Sequence, residues 1–103
     1  MEVFEAIAQF KRREILRLLA AEELSAGEVA SRFAVTQPAI SRHLKVLETA
    51  GLIVRRIEGS KRPCRLAPEA IKDIDRWLGM LRDALAKNYD RLDAVLASMK
   101  TQE

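Results

Sequence analysis

Thr36-Gln37-Pro38-Ala39-Ile40-Ser41-Arg42-His43-Leu44-Lys45-Val46-Leu47-Glu48-Thr49 reads as one helix with two unlike faces. At 100° per residue, Ile40, Leu44 and Leu47 fall together and are predicted to face a core. Pro38, Ser41, Arg42 and Lys45 point the opposite way, with Gln37 at the leading end. Both ends are marked. Thr36 is a good N-cap, and Pro38 lies in the first turn, where its missing N–H removes no bond. Gly51 stands where a left-handed C-terminal cap is expected. Any soluble helix needs a polar face, so its neighbours must decide what this one is for.

Upstream, Ser25-Ala26-Gly27-Glu28 matches a capping box, in which hydroxyl and carboxylate each satisfy the other residue's amide. A short helix to about Phe33 is predicted, with Val29 and Ala30 turned inward, and Ala34-Val35 as a tight connection to Thr36. Further back, Val3, Phe4, Ile7, Phe10, Ile15, Leu18 and Leu19 follow helical spacing. No Gly or Pro interrupts residues 2–21, so one bent helix and two short ones both remain open. Downstream, Leu52-Ile53-Val54-Arg55-Arg56-Ile57 is β-rich, Glu58-Gly59-Ser60-Lys61 supplies a turn, and residues 62–67 return as a second strand. Pro63 cannot donate to a ladder, which predicts an edge position for that strand. The order helix, turn, helix, β-hairpin lets the second helix enter a major groove about 12 Å wide while the hairpin reaches nearby backbone.

Charge supports this partner. Residues 31–67 hold eight bases (Arg32, Arg42, Lys45, Arg55, Arg56, Lys61, Arg62, Arg65) against two acids (Glu48, Glu58), a local +6 in a chain of net +3. The first thirty residues sum to −2 and residues 68–103 to −1. Cations concentrated in one third of a chain point to a polyanion. Gln can bond adenine bidentately, Arg guanine, Ser either, and Lys phosphate or guanine.

At 103 residues the chain suits a single domain, residues 1–103. No apolar run reaches the roughly 20 residues of a membrane span, and acids occupy the start where a signal peptide carries bases, so a cytoplasmic protein is expected. One cysteine (Cys64) and one histidine (His43) cannot build a Cys/His metal cage. There is no nucleophile–base pair and no Gly-rich phosphate loop, which excludes the common enzyme designs. No cofactor and no metal are expected. Cys64 is expected to be a small apolar filler; the rival role is a redox switch, with Arg62 and Arg65 lowering its pKa.

Pro68 opens a last helix with Glu69 in its first turn, predicted to run over about 68–99. Ile71, Ile74, Leu78, Leu81, Leu85, Asn88, Leu92, Val95 and Met99 alternate steps of three and four, the period of a seam between helices. Nine such positions extend about 42 Å, more than a small domain can cover, so part of the seam is expected to meet a second subunit. Asn88 either fixes register or lies at an exposed end. Trp77 beside the seam is expected to pack at the interface.

Leu24-Ser25-Ala26-Gly27-Glu28-Val29-Ala30, Thr36 to Leu47 and Ala50-Gly51-Leu52-Ile53 together closely resemble ArsR/SmtB-family winged-helix repressors. Ser41-Arg42-His43-Leu44-Lys45-x-Leu47 is especially specific, and the resemblance runs from about Val3 into the last helix. It implies a mainly α winged helix-turn-helix fold in the order α-α-α-α-β-β-α, in which the first and last helices of two subunits pack together. The expected homodimer interface is Val3, Phe4 and Ile7 with Ile74, Trp77, Leu78, Leu81, Leu85, Asn88 and Leu92. The expected partner is double-stranded DNA. Gln37, Ser41 and Arg42 would read bases; Lys45, Arg56, Lys61 and Arg62 would hold phosphates. Thr36 completes the DNA-facing set with His43, which borders the buried side and is expected to pack and to bond backbone or phosphate.

The departures from the family are informative. Metal-sensing members carry a Cys-x-Cys pair on the helix before the recognition helix, where this chain has Glu28-Val29-Ala30-Ser31, or carboxylate and His ligands on the last helix. Here that helix has Asp73, Asp75, Asp83, Asp90 and Asp93 but no histidine. The resemblance is therefore to the branch without metal boxes, often autorepressors. Where relatives usually show Asp-Pro-Thr-Arg-Arg, this chain has Gln9-Phe10-Lys11-Arg12-Arg13; Pro63-Cys64 replaces an apolar-aromatic pair in the wing. The expected function is a sequence-specific repressor binding an inverted repeat as a homodimer. The alternative is a protein-interaction module that kept the fold without reading DNA, against which the Gln37, Ser41, Arg42 and Lys45 face argues.

Overall fold

The computed structural model describes residues 2–101, with the side chain of Thr101 left out of the description. The elements are α1 (Val3–Ile7), α2 (Phe10–Ala21), α3 (Ala26–Arg32), α4 (Gln37–Thr49), β1 (Ile53–Arg55), β2 (Cys64–Leu66) and α5 (Pro68–Thr101). This is the expected order. The chain falls into two units, one up to Lys72 and one from Asp73 onward.

Residues 2–21 form two helices, and the break has a local cause. Gln9 is extended, and its side-chain Oε1 accepts the Arg12 amide at 3.1 Å, capping α2. Two guanidiniums then reach back over the break: Arg12 Nε donates to the Ala6 carbonyl at 2.6 Å and Arg13 Nη1 to that of Ile7 at 2.7 Å. The last carbonyls of α1 are thereby satisfied without a glycine. Glutamine serves here as the starting cap, a residue weaker by habit than the Ser, Thr, Asp or Asn that mark most helix starts.

The other caps are as read. Ser25 and Glu28 form a reciprocal capping box, with Ser25 N donating to Glu28 Oε1 at 3.1 Å and Glu28 N to Ser25 Oγ at 3.4 Å. The Ser25 amide, then its hydroxyl, hold the Glu28 carboxyl below its ordinary pKa. Thr36 Oγ1 accepts the Ala39 amide, and α4 stops at Thr49 before Gly51, whose φ is +80°.

In the first unit Ile15, Leu19, Leu24, Val29, Ile40, Leu44, Leu47, Leu52, Ile53 and Cys64 make one core. Each large aliphatic buried there contributes about 1.5–3 kcal/mol. Among the described residues no polar or charged residue is buried as a whole, and the buried side-chain polar atom left without a hydrogen bond is Arg55 Nε.

The wing is shorter than the β-rich runs suggest. β1 and β2 pair antiparallel as Ile53↔Leu66, Val54↔Arg65 and Arg55↔Cys64. Beyond them Arg56 N still donates to the Pro63 carbonyl, but Pro63 returns no bond, and the ladder ends there. Glu58 and Lys61 close the turn with amide–carbonyl bonds of 2.9 and 3.0 Å around Gly59, whose φ is +62°. The expected edge position needs correcting at one residue. Cys64 also exchanges both backbone bonds with Leu24, at 2.8 and 3.2 Å, so β2 has neighbours on both sides there.

α5 is one helix of 34 residues, about 51 Å long. Its start is anchored by Ala67 and Ala70, both buried. From Asp73 on, only Ile74 and Gly79 are partly covered; every other described side chain is exposed, the seam leucines among them. No helix among the described residues is long and apolar enough to cross a membrane.

Candidate nucleic-acid interface

α4 has the two faces its sequence required. Ile40, Leu44 and Leu47 are wholly inaccessible, while Gln37, Pro38, Arg42 and Lys45 are exposed and Ser41 is half-buried. Among the described residues no ion pair engages Arg42 or Lys45, so both cations stand free at the surface. Thr36 lies at the helix start, its oxygen used by the cap.

His43 sits half-buried beside the core, as its wheel position indicated. Burial first, then the charges of Arg12, Arg42 and Lys11, push its pKa below the ordinary value. It is held neutral among cations, a hydrogen-bonding group and not a charge.

The wing brings further cations to this side. Lys61 and Arg62 are exposed beyond the turn and free of ion pairs among the described residues. Arg56, expected to hold a phosphate, is engaged within the chain. Its guanidinium is paired with Glu23, from the α2–α3 connection, and with Glu58 at 2.8 Å. Glu58 first, then Glu23, raise its pKa. Arg56 therefore ties the wing to the helices, and it meets a phosphate only by leaving two carboxylates.

One basic side chain was passed over in the sequence. Arg55 pairs opposite Cys64, and its side chain runs along the protein instead of outward, only 18% exposed. With Lys61 and Arg62 it lines a cleft of about 300 Å³ that also touches Gln37, Gly27 and Ser25. The only available signal was strand alternation, which puts Arg55 on the same face as buried Ile53.

Cys64 is buried, and burial raises its thiol pKa. The cation that opposes this is Arg55, and burial outweighs its effect, in keeping with the apolar filler expected of Cys64. Among the described residues no group of three or more His, Cys, Asp or Glu side chains could hold a metal ion.

Of the expected interface residues, Val3, Phe4 and Ile7 on α1 are half-buried. On α5, Ile74 is half-buried while Trp77, Leu78, Leu81, Leu85, Asn88 and Leu92 are exposed.

Comparison with known proteins agrees with this geometry. A helix-turn-helix domain model matches residues 8–56. The chain is 40% identical over 78 residues to the HTH-type transcriptional regulator Rv2034 of Mycobacterium tuberculosis, covering 72% of this chain and 73% of that one. It is 34% identical over 76 residues to the transcriptional repressor SdpR of Bacillus subtilis, covering 74% and 84%. The homodimeric winged helix-turn-helix DNA-binding domain of a possible ArsR-family regulator from Mycobacterium bovis superposes with a TM-score of 0.65 at 28% identity, covering 79% of this chain and 75% of that one. The α4 face, the wing and these likenesses lead to one conclusion: the chain belongs to the ArsR/SmtB family of winged helix-turn-helix transcriptional regulators, which are DNA-binding proteins and not enzymes.

Proposed function

We propose that this protein is a cytoplasmic, sequence-specific repressor that binds an inverted-repeat operator as a homodimer. The observation that carries the reading is the division of α4: Ile40, Leu44 and Leu47 wholly buried, Gln37, Arg42 and Lys45 exposed. Two copies of α4 related by a two-fold axis would enter successive major grooves about 34–36 Å apart. Gln37, Ser41 and Arg42 read base edges there. Lys45, Lys61 and Arg62 hold phosphates, Thr36 and His43 bond the backbone near the helix, and Arg56 fixes the wing before it joins them. The dimer is supported by the uncovered apolar seam of α5 and by the homodimeric relative from Mycobacterium bovis. SdpR, a repressor, supports the direction of regulation. No metal is assigned a part, since the thiol pair and the histidine of metal-sensing members have no counterpart here.

The test begins with duplexes selected from a random pool and measures fluorescence anisotropy on them and on scrambled controls across salt. Arg42→Ala is expected to cost about 1–3 kcal/mol on the selected duplex alone, whereas Lys61→Ala weakens both and lowers the salt slope by about 1. Equal losses on both duplexes for Arg42→Ala would remove the base-reading role.

A further inference from the structure

Three cations from different parts of the wing meet at one cleft. Arg55 ends β1, and Lys61 and Arg62 follow the turn; opposite them lie Gln37 at the start of α4 and Gly27 in α3. Arg55 is the inner one. Its Nε is buried with no hydrogen-bond partner, and Oε2 of Glu48 stands 3.8 Å away, beyond hydrogen-bond reach. The Glu48 carboxylate is thus the anion nearest this Nε and steadies the side chain, which also lines the cleft with Lys61 and Arg62. Gly27 has no left-handed backbone to explain it, since among the described residues only Gly51 and Gly59 have positive φ. A Cβ there would come within 3.7 Å of the Gln37 side-chain oxygen. That is an ordinary contact distance, so Gly27 and Gln37 stand as neighbours lining the helical side of the cleft.

We infer that this cleft seats one phosphodiester of the duplex backbone, with Arg55 as its inner cation and Lys61 and Arg62 at its rim. The inference rests on the DNA-binding reading and deepens it. Phosphate contacts carry no sequence but set register and orientation. A phosphate held beside the first residue of α4 fixes how deeply Gln37 and Arg42 enter the groove. Arg55 is thus a positioning residue, which accounts for a cation placed inward while Lys61 and Arg62 stand exposed at the rim.

The experiment uses the full chain and a selected duplex, with a neutral methylphosphonate replacing one backbone phosphate at a time. Wild type is expected to lose several-fold in affinity at one linkage in each half-site. Arg55→Gln is expected to lose sensitivity at that linkage alone, to weaken specific and scrambled duplexes alike, and to lower the salt slope by about 0.9 for each subunit bound. Gly27→Asp keeps the fold, because acids suit a helix's first turn, yet it puts a negative charge in the cleft and weakens every duplex. An unchanged salt slope and an unchanged methylphosphonate profile for Arg55→Gln overturn the inference, and if Arg42→Ala still relaxes specificity the DNA reading survives it. A wild-type protein that binds no duplex at low salt overturns both.

Discussion

Consider replacing Leu85 on α5 by alanine. Leu85 is 51% exposed in the isolated chain, so in the proposed homodimer about half of its burial remains to be gained against the partner. Full burial of a leucine is worth roughly 1.5–3 kcal/mol, which leaves about 1 kcal/mol per subunit. A two-fold interface counts each residue twice, so the loss is about 2 kcal/mol, or roughly 30-fold in the dimer Kd. Adding Leu92→Ala, at 55% exposure, brings the sum to about 4 kcal/mol and the weakening to about a thousandfold. Alanine is the best helix former, so α5 itself stays intact. Met80 is the control: it is 57% exposed but lies off the seam, and Met80→Ala should leave the dimer unchanged. Sedimentation velocity over a broad concentration range reads these constants directly. The reasoning is refuted if the Leu85→Ala, Leu92→Ala double variant dimerises as tightly as wild type, or if Met80→Ala matters as much.

Two further outcomes follow from the first unit. Gly51→Ala meets no atom within 4 Å but must hold φ near +80°, so it should destabilise by about 1–2 kcal/mol in urea titration; an unchanged midpoint would show that the cap relaxes freely. His43 has a folded pKa below its unfolded value near 6.5, so the unfolded chain binds the extra proton first as pH falls. Stability is then full above about pH 6.5 and declines through the acid side until the folded pKa is passed. His43→Gln should flatten that part of the Tm-versus-pH profile, and a profile identical to wild type would count against the burial of His43 as its cause.

Much of the fold was legible because its signals are local. The apolar spacing of Ile40, Leu44 and Leu47, the Ser25–Glu28 box, the Thr36 cap and Gly51 each act within one or two turns. Helix periodicity and capping couple residues three or four apart, so the order of residues already contains the geometry. The division of α4 into a buried apolar face and an exposed polar one follows from the same rule.

What tertiary structure alone decided lies where the chain returns to itself. Arg56 was read as a free cation because its partner Glu23 is 33 positions away, and only the placement of the wing against the α2–α3 connection joins them. Cys64 gained a second backbone partner, Leu24, in the same way, and Arg55 turned inward beside Glu48 to line a cleft with Gln37 and Gly27. Even the α1–α2 break depends on Arg12 and Arg13 reaching carbonyls six residues back, farther than a helical turn. Charge and hydrogen-bonding capacity are written residue by residue; which groups neutralise each other is fixed by distance in space, and that appears only once the core has brought remote segments together.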